Sequence, residues 1–157
     1  MKLFNVVKTT STEWKILGGK LATRIVKDAD NGISQDKDGK RFPSYTANYA
    51  LLKSQGKAGL KGVSKDRQVS PPNLRLTGKM LDSIKAQNAK STSVEILYAD
   101  GEKVIGHSKK RGKKPKRNII GLNDKNQQFV EDYFSKKIEN NILRYVAKDI
   151  KIDLDIL

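Results

Sequence analysis

The chain of 157 residues is long enough for a single domain with its own buried core. Its 32 Lys and Arg outnumber 17 Asp and Glu, and the resulting formal charge of +15 favours polyanionic partners but says nothing about the fold. The absence of cysteine excludes disulfides and thiolate metal sites, and an apolar content of 36% indicates that some surface is buried against neighbouring subunits.

The first predicted elements are a short strand and a helix. Residues 3–8 are moderately rich in β-forming side chains and predict the strand. Residues 10–13 have the pattern of a capping box, and the apolar residues behind them share one helical face, which predicts a helix over 12–27. Those apolar residues are Trp14, Leu17, Leu21 and Ile25. The pair Gly18-Gly19 in this helix indicates a kink or the close approach of another backbone.

Two long polar segments flank a second predicted helix. Residues 28–43 are rich in turn-forming side chains and predict an exposed loop, whose acidic residues do not match the spacing of a calcium-binding EF-hand. Ser44 is the expected cap of a helix over 44–54. Residues 56–73 contain three Gly and a Pro-Pro pair and predict a second long loop, of a kind that is usually functional or ordered by a partner.

The middle of the chain predicts a helix followed by a β-hairpin. Residues 74–87 favour the helix, with Thr77 as its cap. Residues 94–98 alternate like a half-buried strand, Asp100-Gly101 is a tight-turn dipeptide, and residues 103–106 are expected to return as the second strand. The residues expected to face inward from the helix are Leu74, Met80, Leu81 and Ile84.

The C-terminal part predicts one long helix and a tail. Asn123 or Asp124 is the expected cap, and apolar residues recurring every four positions form either a core face or an intersubunit surface. They are Val130, Phe134, Ile138, Ile142 and Val146. Residues 150–157 alternate charged and apolar side chains and could add a strand to a neighbour.

Together these elements predict one α+β domain over residues 1–157. It has a small, mostly antiparallel sheet with a β-hairpin over residues 93–106. The sheet is covered by helices over 12–27, 44–54, 77–88 and 124–148, the last of them long and amphipathic.

Residues 107–118, here called the basic arm, are the most informative segment. Sequence-independent contact with phosphates is electrostatic and needs only cations of this kind, although a solvated Lys-rich surface is the simpler interpretation. We expect Ile119 and Ile120 to anchor the arm on the body. The basic side chains of the arm are Lys109, Lys110, Arg111, Lys113, Lys114, Lys116 and Arg117.

Catalysis is poorly supported by the sequence. The single histidine, His107, stands beside a glycine and a basic run, with no Cys nucleophile and no convincing pair of carboxylates. Gly18-Gly19-Lys20 lacks the spacing of a phosphate-binding loop. We therefore expect no enzyme, no metal and no cofactor. A small nuclease is a weaker alternative that would need metal-binding carboxylates.

The order of motifs resembles the Mu-like virion morphogenesis (tail completion) family of tailed bacteriophages. In that family a helix with a Thr-Gly pair precedes a hairpin, a turn containing His, and a segment of the form P-x-R-x-x-x-G that leads into the last helix. The resemblance spans about residues 39–134 and includes His107 in the turn. The matching structural residues are Leu76, Thr77, Gly78, Leu81, Ile84, Pro115 and Gly121.

The resemblance implies a structural protein of the phage neck or tail top, a head-tail connector or tail completion protein. Its copies would form a ring around the channel for double-stranded DNA, between the portal or adaptor and the tail proteins. The basic arm would then line the lumen and touch phosphates, or pair with an acidic patch on the neighbouring subunit, with Ile119 and Ile120 as anchors there. Such a protein would be assembled in the host cytoplasm and function in the virion.

A second class of function is a monomeric basic module that binds nucleic acid, of the ribosome-associated or nucleoid type. The net charge allows it, whereas the long amphipathic helix and the two long loops fit it less well. No apolar run approaches the roughly 18 residues of a membrane span. The N-terminus lacks the apolar core of a signal peptide, so no membrane partner is expected.

Overall fold

The computed structural model describes residues 9–58, 65–75, 77–109 and 115–149, with side chains as far as Arg144. The predicted α+β class is confirmed, because helices pack around a two-stranded antiparallel sheet. The predicted strand over residues 3–8 and the tail over 150–157 lie outside the described residues. The elements in chain order are α1 (Ser11–Asp30), α2 (Ala47–Ser54), α3 (Lys79–Asp82), β1 (Ile84–Gln87), β2 (Glu95–Tyr98), α4 (Gly101–Ser108) and α5 (Asp124–Asp149).

The predicted start of α1 is confirmed. The backbone N–H of Glu13 donates to Oγ1 of Thr10 at 3.2 Å, and the Thr10 N–H donates to Oε2 of Glu13 at 2.8 Å. Two orphan donors of the first turn are thereby satisfied, as a capping box requires. The helix ends at Asp30, three residues beyond the predicted end.

Gly18 explains why the glycine pair is tolerated inside α1. A Cβ atom on Gly18 would lie 2.6 Å from Cγ2 of Val94 and 2.8 Å from Cβ of Ala86, closer than real Cβ contacts. Gly18 therefore lets α1 pack directly on the side chains of Ala86 and Val94, where we predicted a kink or the close approach of another backbone. Gly19 has no heavy atom within 4 Å of the same position, so packing does not require it.

A β-hairpin is present, but its predicted position was wrong. β2 pairs antiparallel with the preceding strand β1, with Ile84 opposite Tyr98 and Gln87 opposite Glu95. Asp100-Gly101 begins a helix instead of a turn, since the carbonyl of Asp100 accepts from the N–H of Val104 at 3.0 Å. In this helix Val104 and Ser108, four residues apart, lie on one face and are buried.

The helix predicted over 74–87 was also wrong for most of its length. Only Lys79–Asp82 is helical, and Gly78, with φ at 85°, holds the position before the helix that we assigned to Thr77. The hydroxyl of Ser83 donates to the carbonyl of Met80 at 2.7 Å where the helix ends. The following residues gain a strand partner in β2, which outweighs their local helix preference.

One hydrophobic cluster joins α1, the sheet, α4 and the segment that leads into α5. Leu81 and Ile119 are fully buried in it, and Val104 exposes only 1% of its surface. The cluster holds the C-terminal end of the basic arm against the same core as α1. Its buried members are Leu21, Ala22, Ile25, Ala29, Phe42, Met80, Leu81, Ile84, Val104 and Ile119.

The segment over residues 28–43 is packed, although we expected an exposed loop. Its first three residues belong to α1, and Ser34, Gln35 and Phe42 are buried. A short bridge between Ile33 and Arg41 closes the remaining turn. The apolar ring of Phe42 and the hydrogen-bonding capacity of the two polar side chains explain why a polar sequence folds inward here.

α2 is capped by Thr46 and not by Ser44, since the N–H of Tyr49 donates to Oγ1 of Thr46 at 3.4 Å. It spans eight residues and occupies most of the predicted range. In the second predicted loop, residues 59–64 lie outside the described residues. Residues 65–75 run in irregular conformation beside α2 and contact it through polar side chains.

α5 confirms the predicted long C-terminal helix. Asn123 caps it, because its Oδ1 accepts from the N–H of Asn126 at 3.0 Å. α5 runs antiparallel to α1: the Trp14 and Phe134 ring centroids lie 4.8 Å apart, while Arg24, ten residues further along α1, lies over Phe129. Val130, the first residue of the apolar stripe, is partly buried against the core, whereas Ile142 further along is 46% exposed.

Candidate polyanion-binding and assembly surface

The basic arm is held at both of its ends. Lys109 ends α4 and donates its N–H to the carbonyl of Ile105 at 3.0 Å. The N–H of Arg117 donates to the carbonyl of His107 at 2.8 Å, which closes the arm into a loop at the C-terminus of α4. The predicted site residues Lys110, Arg111, Lys113 and Lys114 lie outside the described residues.

Lys116 is engaged by the body of the protein. Its ammonium lies 2.6 Å from Oδ1 of Asp36, and the same oxygen accepts from the Asn118 amide at 3.0 Å. The hydrogen bond from Lys116 is the main cause that lowers the pKa of Asp36, with the hydroxyl of Ser34 adding to it. Since its charge is paired with Asp36, Lys116 contributes less free positive potential than an unpaired lysine would.

Arg117 is a structural anchor. Its guanidinium carbon lies 4.9 Å from the centroid of the Tyr45 ring, and Nη2 donates to the carbonyls of Pro43 at 3.0 Å and Ser44 at 3.3 Å. Burial lowers the pKa of Arg117, and its Nε is buried without a hydrogen-bond partner among the described residues. The side chain therefore fixes the arm to the segment before α2.

Tyr45 also contacts a buried lysine that the sequence analysis missed. Lys53 is fully buried; its Nζ donates to Oδ1 of Asn73 at 2.5 Å and lies 3.3 Å from Oδ2 of Asp66. The same nitrogen lies 5.0 Å from the Tyr45 centroid. Burial lowers the pKa of Lys53 and raises the pKa of Tyr45 to about 12.

This Lys53 cluster ties three segments together: α2, residues 65–75 and the base of the basic arm. The hydroxyl of Tyr45 donates to the carbonyl of Asn73, and the amide of Asn73 donates to Asp66 at 2.7 Å. A lysine inside an alternating or helical apolar pattern would have been a signal, but Lys53 follows two leucines and gives none. The cluster supports the surface and contains no exposed reactive group.

A second polar network fixes the start of α5 to α1. The carboxylate of Asp28 is its centre, and Asn123 and Asn126 are both almost fully buried beside it. Three side-chain amides donate to Oδ2 of Asp28, from Gln35 at 2.9 Å, Asn123 at 3.2 Å and Asn126 at 2.8 Å. Only Asn123 was predicted to have a role, as the helix cap. The network joins the end of α1, the segment after it and the start of α5.

An open cleft of about 690 Å³ lies where α4 meets the end of the arm. Its cationic walls are Lys103 and Arg117, and Glu102 is its acidic member. Lys103 is 67% exposed at the side chain and pairs with Asp100 at 3.1 Å. The other lining residues are Ile105, Gly106, His107 and Pro115. Of its two cations only Lys103 presents an exposed ammonium, because the guanidinium of Arg117 is held over the Tyr45 ring.

The residues of the resemblance lie in structural positions. Leu81 and Ile84 are in the core, Thr77 and Pro115 are exposed, and Leu76 lies outside the described residues. Gly78 and Gly121 both have positive φ, 85° and 102°, a conformation that side chains disfavour. Ile119 is a core anchor as predicted, and its carbonyl accepts from the Tyr98 hydroxyl at 3.0 Å, whereas Ile120 is 40% exposed.

The described part of the chain also bears on two other classes of site. No group of three or more His, Cys, Asp or Glu side chains there could hold a metal ion. No helix in that part is long and apolar enough to cross a membrane.

The comparisons with known proteins give no relative. No protein-family model matches the chain, and neither the curated proteins nor the solved structures contain a match.

Proposed function

We propose that the chain is a structural protein of a tailed-phage virion, a head-tail connector (neck) or tail completion protein that forms a ring around the DNA channel. The observation that carries the proposal is the closure of the basic arm by the Arg117 to His107 hydrogen bond. The two described ends of the arm are therefore both attached to the body at the C-terminus of α4. A local concentration of cations suits nonspecific contact with phosphates.

The order of motifs supports the phage assignment. The segment from Pro115 to Gly121 leads directly into the long helix α5, as the resemblance implies, and Leu81 and Ile84 belong to the core that supports it. The motif residues build the fold of the subunit and carry no catalytic group, which fits a protein that functions by assembly. The partners would be further copies, the portal or adaptor, the tail proteins and the DNA in the channel.

Exposed apolar side chains support an oligomer. Leu51, Ile142 and Leu143 expose 56%, 46% and 59% of their surface. Single exposed leucines are ordinary on a monomer, but side chains grouped on helices at two places are typical of surfaces that are covered in an assembly. The site of action would be the neck or tail top of the virion, after assembly in the host cytoplasm.

The charge also supports the alternative, a monomeric basic module that binds nucleic acid. With +15 over 157 residues the chain would bind duplexes electrostatically whatever its oligomeric state. The alternative predicts the same salt dependence but a constant monomer mass. The mass of the protein in solution therefore distinguishes the ring-forming subunit from the monomeric module. The salt dependence of DNA binding tests whether the basic arm contacts phosphates.

Substitution of the arm tests the proposed DNA contact. A variant with Lys110, Arg111, Lys113 and Lys114 changed to Ser is titrated with a short duplex by fluorescence anisotropy at several salt concentrations. Each lost phosphate contact lowers the slope of log K against log salt by about 0.9, so the proposal predicts a decrease of up to about 3.6. Light scattering on the same variant reports whether assembly is preserved.

The matched control removes four exposed lysines from other surfaces. Lys15, Lys90, Lys125 and Lys136 are all exposed, and their change to Ser gives the same net charge as the arm variant. An equal loss of slope in both variants contradicts a role for the arm in DNA contact. Loss of assembly in the arm variant alone, with DNA binding kept, assigns the arm to the neighbouring subunit.

A further inference from the structure

α2 buries its lysine and exposes its leucines. Lys53 is its one buried side chain, while Leu51 and Leu52 are 56% and 36% exposed. An amphipathic surface helix is normally oriented by its apolar face. Here the hydrogen bonds of Lys53 to Asn73 and Asp66 set the orientation, and they turn the leucines outward. We call Leu51 and Leu52 the α2 patch.

A second exposed apolar surface lies on α5. Lys137 pairs with Glu13 in the first turn of α1 at 2.6 Å, so residues 141–149 run past the start of α1 for roughly 13 Å. Ile138 is 36% exposed, Ile142 46% and Leu143 59%. We call these three residues the α5 patch.

The two patches lie at opposite ends of α1. The α2 patch is tied to its C-terminal end, because Gln68, in the segment that binds Lys53, donates to the carbonyl of Asp30 at 3.0 Å. The α5 patch lies beyond its N-terminal end. α1 has 20 residues and is therefore about 30 Å long. The patches cannot meet within one copy.

We propose that the α2 patch of one copy packs against the α5 patch of the next copy, head to tail. This inference rests on the proposed function, in which copies of the chain form a ring, and it identifies the contact between neighbouring copies. Contact of either patch with itself would leave the other exposed in every dimer. Contact between the α2 patch of one copy and the α5 patch of the next covers both patches in every subunit. If the same rotation relates each copy to the next, the contacts close into a ring.

Charged residues at the edges of the two patches are consistent with contact between the α2 patch and the α5 patch. Glu139 is three residues before Ile142 and therefore borders the α5 patch. Lys57 follows α2 directly and is exposed. Opposite charges at the rim of an apolar contact favour one orientation and reject like-charged alternatives. Head-to-tail packing brings Glu139 of one copy towards Lys57 of the next.

Cysteine cross-linking tests the contact, since the chain has no cysteine of its own. Leu51→Cys and Ile142→Cys variants carry tags of different size and are treated with a short bis-maleimide, singly and mixed. The inference predicts a cross-linked pair only in the mixture, with one chain of each variant. Thr92→Cys, exposed in the hairpin loop, is the control and should link to neither.

Charge substitution gives a second readout on the same contact. Leu51→Lys and Ile142→Glu should each reduce the oligomer mass, and their mixture should regain at least the mass of a dimer. Cross-linking within one variant alone, or an oligomer without the Leu51 to Ile142 link, overturns the head-to-tail contact but leaves the ring. A persistent monomer overturns both the contact and the ring.

Discussion

Arg117 stacks on Tyr45, with the guanidinium carbon 4.9 Å from the ring centroid. This contact joins the end of the basic arm to the segment before α2, and Lys53 lies 5.0 Å from the same ring. Arg117, although it belongs to the basic arm, therefore serves the fold and is not available to a polyanion. The distinction can be tested by separating stability from DNA binding.

Arg117→Lys should lower stability although it keeps the charge. Lysine cannot form the planar stack or donate to two carbonyls in the same geometry. We expect a loss of about 1–2 kcal/mol, which corresponds to a fall in Tm of about 2–8 °C for a chain of this size. Thermal unfolding followed by circular dichroism measures it. The salt slope of DNA binding should stay unchanged, and a loss of slope without a loss of stability would refute the structural role.

Gly18→Ala and Gly19→Ala should have opposite effects. The new methyl group at Gly18 would overlap Val94 and Ala86, and such overpacking costs about 1–3 kcal/mol. At Gly19 the space is open, and replacement of a helical glycine by alanine stabilises by about 0.5–1 kcal/mol. Urea denaturation of both variants gives the comparison. Equal effects in the two variants would contradict direct packing of α1 on the sheet.

Lys53→Met should destabilise although Met is apolar and of similar length. The substitution removes one donor from Asn73 and Asp66, each of which keeps another hydrogen bond. We expect a loss of about 1–3 kcal/mol, measured by chemical denaturation. Lys65→Met, at an exposed position of the same region, should change stability by no more than about 0.5 kcal/mol. Similar values for the two lysines would show that Lys53 does not orient α2.

Acid should weaken the contact between α1 and α5. The hydrogen bond from Lys137 is the main cause that lowers the pKa of Glu13 below its ordinary value of 4.5. The charged carboxylate stabilises the fold above that value, and this contribution is lost as the pH falls through the lower pKa of the folded state. Since the pair is partly exposed, we expect only about 0.5–1 kcal/mol.

Glu13→Gln isolates this pH dependence, because the amide oxygen still accepts the hydrogen bond of the capping box. The stability difference between the native chain and the variant should be constant above about pH 4.5 and shrink at lower pH. Denaturant titrations at several pH values measure it. A difference that is independent of pH would mean that the ion pair with Lys137 contributes nothing.

Local signals predicted the helices that begin at strong caps. The capping box at Thr10 and the cap at Asn123 fixed the starts of α1 and α5, because side-chain acceptors for the first N–H groups are encoded within three residues. The hairpin was misplaced because Asp100-Gly101 is suitable both for a tight turn and for the start of a helix. Burial of Val104 decides between them, and that depends on the core.

The candidate surface was predicted in its charge but not in its support. The run of cations in the basic arm is visible in the sequence, whereas Lys53 and Asp28 gain their roles from segments up to 98 residues apart. Arg117 could not be separated from the other cations of the arm, since stacking on Tyr45 joins residues that are distant in sequence. Long-range polar contacts of this kind leave no periodic pattern to detect.

The most direct test of the central claim is the mass of the purified protein by light scattering, at low and moderate salt, with and without a short duplex. The account predicts a ring-sized oligomer that persists at moderate salt, where apolar contacts hold and phosphate contacts weaken. A monomer under every condition, binding the duplex with a steep salt slope, would contradict the account and favour the monomeric nucleic-acid module.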